Sequence, residues 1–424
     1  MSRCGFVREL TSWLSGGGEA DRFPYSAVLA EFHRVGKHFV EKEVLGLLDH
    51  ARTQLTVPAA TREPHARLLG DFLDVALDKW DGRYDYRSYL ALRLLGLPGG
   101  DDVAGPFGAR RDRDRLLVRL VADALAFELT AASGATDLLP EQRPSRDVVA
   151  KRYRLGVRAV SPALARLGIA GTIPDREVAT PDQMRAVAAG TDPAAELVLR
   201  LSMLPVHVSH DEYLFIRVLQ SYECLFAGIA EELRAAVAAL TAGHAGRAAE
   251  RLAYARKQLT AAGPLFALLA TMQPEAFRTF REYTAGASAI QSRSYKLMEA
   301  LCRTPEASRL DSAAYHQVPE VRDLVHAGQP SIDDAFRAAV RDGLLAAPDG
   351  ERVEEEMRSF AAAVLQWRRT HHRLATRMLG PRAGTGYTEG TPYLAAVRSI
   401  PVFTSVACEP RPLSPVEPTG GRPA

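Results

Sequence analysis

A histidine on an apolar helical stripe is the residue in this sequence with the clearest potential for chemistry. His371 follows Trp367 by four residues and precedes Leu374 by three and Met378 by seven. Residues with this spacing share one face of an α-helix, so the pattern places His371 on a buried face. A neutral imidazole in such a position can bind a transition-metal ion. A lone histidine on such a face would more often be an ordinary core residue.

The residues around His371 also predict how its helix is oriented and where it ends. His372 is rotated by about 100° onto a face, shared with Arg368, Arg369 and Thr376, that we expect to be solvated. Gly380 followed by a proline predicts the end of the helix, because glycine caps a C-terminus and proline cannot continue the helix. A Gly-Thr-Gly turn centred on Thr385 comes next.

A second segment begins with Ser209-His210-Asp211-Glu212. The spacing of Ser209 and Glu212 is that of a capping box, which predicts the start of a helix. The helix has an apolar stripe that includes Phe215 and Leu219. On periodicity alone it is an ordinary core helix.

A third segment combines aromatic residues with one arginine. Pro274 predicts the first turn of a helix, on which Arg281 shares a face with Phe277 and Phe280; Ser288 follows shortly after. The planar guanidinium of an arginine can bind a carboxylate through two parallel hydrogen bonds. The alternative is an arginine whose stem packs on the protein while its charged end reaches water.

In their order along the chain and in their residues, these three segments resemble the motifs of the tryptophan 2,3-dioxygenase family. The matching runs are His-Asp-Glu-Tyr-Leu-Phe-Ile, then Phe-x-x-Phe-Arg with a later Ser, and finally Arg-x-x-His with Gly-Thr-Gly. A Tyr-x-x-Tyr-Leu run ending at Leu90 is a shorter match, and the main resemblance covers about Pro205 to Leu394. The resemblance implies an all-α fold, a helical bundle with a heme pocket, plus an additional N-terminal or inserted helical region.

The resemblance also implies roles for individual residues. His371 corresponds to the proximal ligand of the iron in a non-covalent heme b, with O2 as co-substrate. Arg281 and Thr385 correspond to the residues that hold the carboxylate and ammonium of an aromatic amino acid. Ser288 is a further predicted substrate contact, and Phe215 corresponds to the ring that packs against the substrate's aromatic system.

Two positions depart from the family's motifs. Leu219 stands where the family usually has a histidine that meets the ring N–H of the substrate, and a leucine cannot make that hydrogen bond. Ala289-Ile290 replaces a Gly-Phe pair. Phe215 and Leu219 are thus predicted to line the catalytic site and to contact the aromatic ring of the substrate. Because apolar pockets discriminate less strongly than hydrogen-bonding ones, we expect a weaker preference for unmodified tryptophan.

The function implied by the resemblance is a heme-dependent dioxygenase. Both atoms of O2 would enter across the indole C2–C3 bond of L-tryptophan or a derivative, giving an N-formylkynurenine-type product, as in the kynurenine route of tryptophan catabolism. One alternative is a heme-dependent monooxygenase or hydroxylase of a modified tryptophan or tyrosine in secondary metabolism. Another is a non-catalytic heme-binding sensor, but Arg281 and Thr385 argue against it because a sensor has no use for an amino-acid clamp.

The composition predicts a soluble, cytoplasmic protein. The 424 residues include 53 Lys+Arg and 51 Asp+Glu, a balance that gives no basis for binding nucleic acid or an anionic membrane. The four cysteines have no metal-ligand spacing, and we find no apolar run long enough to span a bilayer. The aromatic amino acid is the expected partner, together with further copies of the chain in a homo-oligomer, a dimer or a tetramer.

The sequence also suggests a division of the chain. We predict a loose N-terminus over residues 1–20 and a helical N-terminal region with accessory or inserted helices over 21–195. The heme-binding, dioxygenase-like core is predicted over 196–400. A Pro- and Gly-rich tail over 401–424 is expected to be disordered.

Overall fold

The fold is helical throughout the part of the chain that the structure describes. In the computed structural model these residues are 3–55, 63–97, 106–175, 179–190, 192–380 and 390–406. All regular secondary structure in these ranges is helical, apart from one isolated bridge between Glu141 and Ser209. The predicted all-α fold is therefore confirmed. Within the same ranges we find no helix whose length and apolar character would suit a membrane span.

Short helices alternate with longer ones along the chain. The helices of the N-terminal half are α1 (Arg3–Ser15), α2 (Tyr25–Val35), α3 (Lys42–Thr53), α4 (Pro64–Ala76), α5 (Tyr86–Tyr89), α6 (Pro106–Ala132), α7 (Arg146–Leu167), α8 (Pro181–Ala189) and α9 (Pro193–Leu201). Those of the C-terminal half are α10 (His210–Thr241), α11 (Ala245–Ala261), α12 (Gly263–Leu269), α13 (Pro274–Glu282), α14 (Arg293–Cys302), α15 (Ala307–Leu310), α16 (Ala313–His316), α17 (Pro319–His326), α18 (Ile332–Arg341), α19 (Ala347–Leu379) and α20 (Thr391–Arg398).

The long helix α10 forms the centre of the main hydrophobic core. It packs against α6, α11, α14 and α18, and α11 in turn packs against α19. Most α10 side chains are buried on every face, as expected for a helix enclosed by neighbours. The core continues through α19, whose Val364 and Met378 are buried in it. This arrangement brings the helices that carry the three sequence segments together.

The N-terminal helices α1 to α4 pack around a second hydrophobic cluster. Phe32, Leu48 and Phe72 are fully buried within it, and Leu201 joins it from the end of α9. The expectation of a loose segment over residues 1–20 is wrong for α1. Phe6 and two further apolar residues recur at helical spacing and bury that face of α1 against the cluster. The remaining predicted domain boundaries stay predictions.

The beginning of the C-terminal tail is ordered. Val402 and Phe403 are buried in the main core, and the Asp333 carboxylate accepts hydrogen bonds from the backbone N–H groups of Thr404 (2.8 Å) and Ser405 (2.9 Å). The predicted disorder is therefore wrong for residues 401–406, because a carboxylate on α18 binds their backbone. Residues 407–424 lie outside the described part of the chain.

Helix α10 begins where the sequence predicts, but without the predicted capping box. Ser209 is the N-cap residue, yet its hydroxyl donates to the side-chain oxygen of Gln142 (3.0 Å) and does not cap the helix. The Glu212 carboxylate accepts hydrogen bonds from the backbone N–H groups of Val206 (2.7 Å) and His207 (3.0 Å). The segment before the helix folds over its first turn and competes for the carboxylate, so the reciprocal cap does not form.

Candidate functional site

The three segments identified in the sequence meet around one cavity of about 230 Å³. Its walls come from α5, α10, α12, α13, α14, α19 and α20, and most of the side chains that line it are aromatic or aliphatic. Phe215, Leu219, Arg281, Ser288 and His371 all border it. The structure therefore brings together every predicted site residue that it describes.

His371 reaches the cavity from α19. Its ring centroid lies 5.1 Å from that of Trp367 and 6.1 Å from that of Phe266. Burial lowers the pKa of His371 to about 4, with a further contribution from His372. The imidazole is therefore neutral at pH 7, which is the form that binds a metal ion through its lone pair.

The prediction of a solvated face on α19 is wrong at Arg368, whereas Arg369 and Thr376 are exposed as predicted. Arg368 is only 5% exposed. Its guanidinium donates to the Tyr295 hydroxyl (2.9 Å) and the Ile400 carbonyl (2.7 Å), and it pairs with Glu299 (3.2 Å). Helix α14 and the segment after α20 therefore cover Arg368. The periodicity of α19 alone cannot show that.

Helix α10 presents Phe215 and Leu219 to the cavity, one turn apart. The Phe215 ring packs against Phe277 and Phe280 of α13, with centroid distances of 5.6 and 5.3 Å. Leu219 adds an aliphatic surface beside it. Together these residues form an apolar wall that suits an aromatic ring.

One turn further along α10, Glu223 places a buried carboxyl group at the same cavity. Burial raises the pKa of Glu223, although the nearby hydroxyls of Ser292, Ser294 and Tyr86 favour its charged form. Glu223 continues the second matching run of the sequence, but that run predicts no role for it, because its position beside an apolar stripe resembles that of a packed core residue. It is a site residue that sequence reasoning missed.

Arg281 and Ser288 border the cavity from α13 and from the segment after it. The backbone N–H of Gln291 donates a hydrogen bond to the Ser288 carbonyl (2.9 Å). The Gln291 side-chain oxygen accepts from the backbone N–H groups of Ser288 (3.1 Å) and Tyr86 (2.9 Å). These bonds fix the segment that carries Ser288 against α5.

Tyr86 and Tyr89 of α5 also line the cavity. The Tyr89 hydroxyl donates to the Glu212 carboxylate (3.2 Å), and burial raises the pKa of Glu212 to about 8. Both tyrosines belong to the Tyr-x-x-Tyr-Leu run found in the sequence. That run alone predicts no role for them. Their contact with α10 joins parts of the chain that are far apart in sequence.

The predicted contact Thr385 lies outside the described residues. The described residues on either side of it, Leu379 and Gly390, both border the cavity. Its role as a substrate contact stays a prediction.

Comparison with known proteins agrees with the motifs. Residues 199–353 match the family model described as tryptophan 2,3-dioxygenase. The resemblance to the tryptophan 2,3-dioxygenase family is confirmed. The matched segment includes Phe215, Leu219, Arg281 and Ser288, whereas His371 lies beyond it.

Similar proteins that carry the name tryptophan 2,3-dioxygenase come from several bacteria. The one from Polaromonas naphthalenivorans strain CJ2 is 28% identical, over 48% of this chain and 83% of its own length. Those from Nocardioides sp. strain JS614 and Bordetella pertussis strain Tohama I are each 29% identical, over 44% and 48% of this chain and 79% and 83% of their own lengths. The similarity to these tryptophan 2,3-dioxygenases thus covers about half of the chain.

Proposed function

We propose that this protein is a heme-dependent dioxygenase that inserts both atoms of O2 into the indole ring of L-tryptophan or a tryptophan derivative. The observation that carries the proposal is the position of His371, a neutral imidazole that faces the same cavity as Phe215 and Arg281. A metal-binding group and an amino-acid-binding group therefore share one space.

The residues around His371 fit a heme. The rings of Trp367, Phe226 and Phe266 lie beside one another at the cavity, with centroid distances from Trp367 of 5.3 and 5.4 Å. Aromatic side chains suit contact with a porphyrin, and the neutral imidazole of His371 suits its iron. Heme, when bound, supplies the oxidation by O2, while the protein supplies binding and orientation.

The remaining residues of the cavity orient the substrate. Arg281 binds the carboxylate of the amino acid through its planar guanidinium, and Thr385 binds the ammonium group. Ser288 adds a polar contact near Arg281. Phe215 and Leu219 pack against the aromatic ring and exclude water from the reacting face. This division holds the polar end of the substrate at α13 and its ring at α10.

A second candidate is a heme-dependent monooxygenase or hydroxylase of a modified tryptophan or a tyrosine. Leu219 favours it, because its aliphatic side chain borders the cavity next to Phe215 and offers no hydrogen bond to an indole N–H. A substrate without a free ring N–H loses nothing at this position. Homo-oligomerisation, a cytoplasmic location and a place in tryptophan catabolism remain predictions.

Mass spectrometry with isotopically labelled O2 distinguishes these functions. The reduced, heme-loaded protein is incubated with tryptophan, N1-methyl-tryptophan or tyrosine, and the products are analysed for the label. Two labelled oxygen atoms in a tryptophan-derived product support the dioxygenase. One labelled atom shows a monooxygenase, and the absence of product from all three amino acids contradicts the proposal and supports a heme-binding sensor.

A further inference from the structure

A buried ion cluster beside the cavity carries more positive than negative charge. The Glu299 carboxylate pairs with Lys296 (3.2 Å), Arg309 (2.9 Å) and Arg368 (3.2 Å). Although burial alone would raise it, these three cations hold the pKa of Glu299 well below its usual range. One carboxylate therefore faces three cations, which leaves a surplus of two positive charges.

The other described contacts of the two most buried cations are with neutral groups. Lys296 lies 3.3 Å from the Tyr393 hydroxyl, and Arg368 donates to the Tyr295 hydroxyl and the Ile400 carbonyl. Lys296 is 2% exposed and Arg368 is 5% exposed, so water screens neither charge well. Buried charge that is not balanced disfavours the folded state, and an anion that enters the site restores the balance.

The surplus charge faces the large cavity. Lys296 and Arg368 border it, whereas Glu299 and Arg309 border a small separate cavity behind them. Arg368 precedes His371 by three residues on α19, so the two side chains leave neighbouring turns of the same helix. A ligand that binds His371 in this cavity therefore shares the cavity with both cations.

We propose that Lys296 and Arg368, oriented by Glu299, bind the two carboxylate side chains of a porphyrin whose centre lies at His371. The inference rests on the proposed heme-dependent function and adds which residues recognise the cofactor's charged edge. Two carboxylates match the surplus of two positive charges. Arg281, the residue proposed to bind the carboxylate of the amino acid, lies on a different helix, α13. Glu299 is a positioning residue, because it acts through the two cations.

The test compares protoporphyrin IX with its dimethyl ester. Esterification removes both negative charges and leaves the macrocycle in place, and the lack of iron removes any contribution from coordination by His371. Both porphyrins are titrated into the heme-free protein in the same detergent-containing buffer, and binding is followed by fluorescence. We expect the wild-type protein to bind the diacid at least about tenfold more tightly than the diester, a ratio equal to about 1.4 kcal/mol.

The variant Lys296→Met assigns that preference to the cluster. It is expected to weaken binding of the diacid and to leave binding of the diester nearly unchanged, so that the ratio of the two affinities falls. Lys151→Met is the matched control, since Lys151 is an exposed lysine on α7. The control variant should keep the ratio of the wild-type protein.

Several outcomes would overturn the inference. Equal binding of the two porphyrins by the wild-type protein removes it while leaving heme binding intact, and this result does not depend on any variant being folded. If Lys296→Met loses affinity for both porphyrins to the same extent, Lys296 only supports the fold. Weaker binding of tryptophan by Lys296→Met with unchanged porphyrin affinities would assign the cluster to the substrate. If the wild-type protein binds neither porphyrin, nor heme itself, the proposed function fails as well.

Discussion

Among single residues, His371 is expected to keep binding heme at moderately acidic pH. Its burial lowers its pKa from 6.5 to about 4. Protonation competes with metal binding, so the absorbance of the bound heme should stay constant from pH 7 to about pH 5 and fall only as the pH approaches about 4. Loss of the heme spectrum centred near pH 6.5 would contradict this prediction, because that is the ordinary range of an exposed histidine.

The same pKa shift affects the stability of the heme-free protein. Because the folded-state pKa of His371 lies below its value in an unfolded chain, the unfolded chain binds this proton first as the pH falls. The contribution of His371 to stability is therefore fully present above pH 6.5 and is lost as the pH falls from 6.5 toward 4.

Arg281 is predicted to recognise the carboxylate of the substrate. The variant Arg281→Leu should weaken the binding of tryptophan to the heme-loaded protein by about 2–4 kcal/mol, the range for losing one partner of a buried charged pair. Tryptamine, which lacks the carboxylate, should bind equally well to both proteins. Binding is measured through the change in heme absorption.

Arg278→Leu is the matched control for Arg281→Leu, because Arg278 is an exposed arginine on the same helix. It should leave the affinity for tryptophan unchanged. If Arg281→Leu weakens tryptophan and tryptamine equally, Arg281 does not bind the carboxylate.

Leu219 is predicted to weaken the preference of the site for an indole ring with a free N–H group. N1-methyl-tryptophan should bind to the wild-type protein about as well as tryptophan, because the added methyl group meets an aliphatic wall. Leu219→His should then favour tryptophan over the N-methyl compound by about 1–3 kcal/mol, the scale of an unmade buried hydrogen bond. Strong rejection of N1-methyl-tryptophan by the wild-type protein would show that another residue contacts the ring nitrogen.

For the secondary-structure elements, the sequence predicted the buried stripe and the end of a helix better than it predicted which other elements that helix contacts. The stripe through His371 and the end of α19 at Leu379 are confirmed, because helical periodicity and a glycine stop are local signals. The burial of Arg368 depends on residues that are distant in sequence, and the Ser209 hydroxyl donates to the distant Gln142 instead of capping α10. Periodicity within one helix contains no information about which neighbour covers its polar face.

The candidate site shows the same limit. The motifs identified Phe215 and Arg281 as cavity residues, because each lies within a run of several matching residues. Glu223, Lys296 and Tyr89 also border the cavity, but their positions in the sequence predict no role for them. Their importance follows from burial and from unbalanced charge, and both properties appear only when the helices are packed.

At the scale of the whole molecule, the N-terminal helices are joined to the core beside the cavity. Gly36 follows α2 with a φ of +83°, and the next backbone N–H groups, of Lys37 and His38, donate to the carbonyls of Pro205 (2.7 Å) and Val206 (3.2 Å). A Cβ atom at Gly36 would lie 2.6 Å from the Val206 carbonyl oxygen. The junction therefore requires glycine for both its conformation and its close packing.

Gly36→Ala is expected to destabilise the protein by about 2–4 kcal/mol, because the new methyl group meets backbone that cannot move without breaking these hydrogen bonds. Gly82→Ala is the matched control. Gly82 also has a positive φ, of +68°, but a Cβ atom there meets nothing within 4 Å, so the cost should be about 1 kcal/mol. Urea unfolding of both variants measures the difference. Equal destabilisation would show that the close approach at Gly36 contributes nothing.

The absorption spectrum of the protein reconstituted with heme tests whether His371 binds the iron in this cavity. The wild-type protein, His371→Ala and His372→Ala are each loaded with heme and separated from the excess. We predict that the wild-type protein and His372→Ala retain heme with nearly identical spectra, because His372 is not among the residues that line the cavity. His371→Ala should lose most of the heme. Retention by His371→Ala together with loss by His372→Ala would contradict the assignment of the cavity as the heme site.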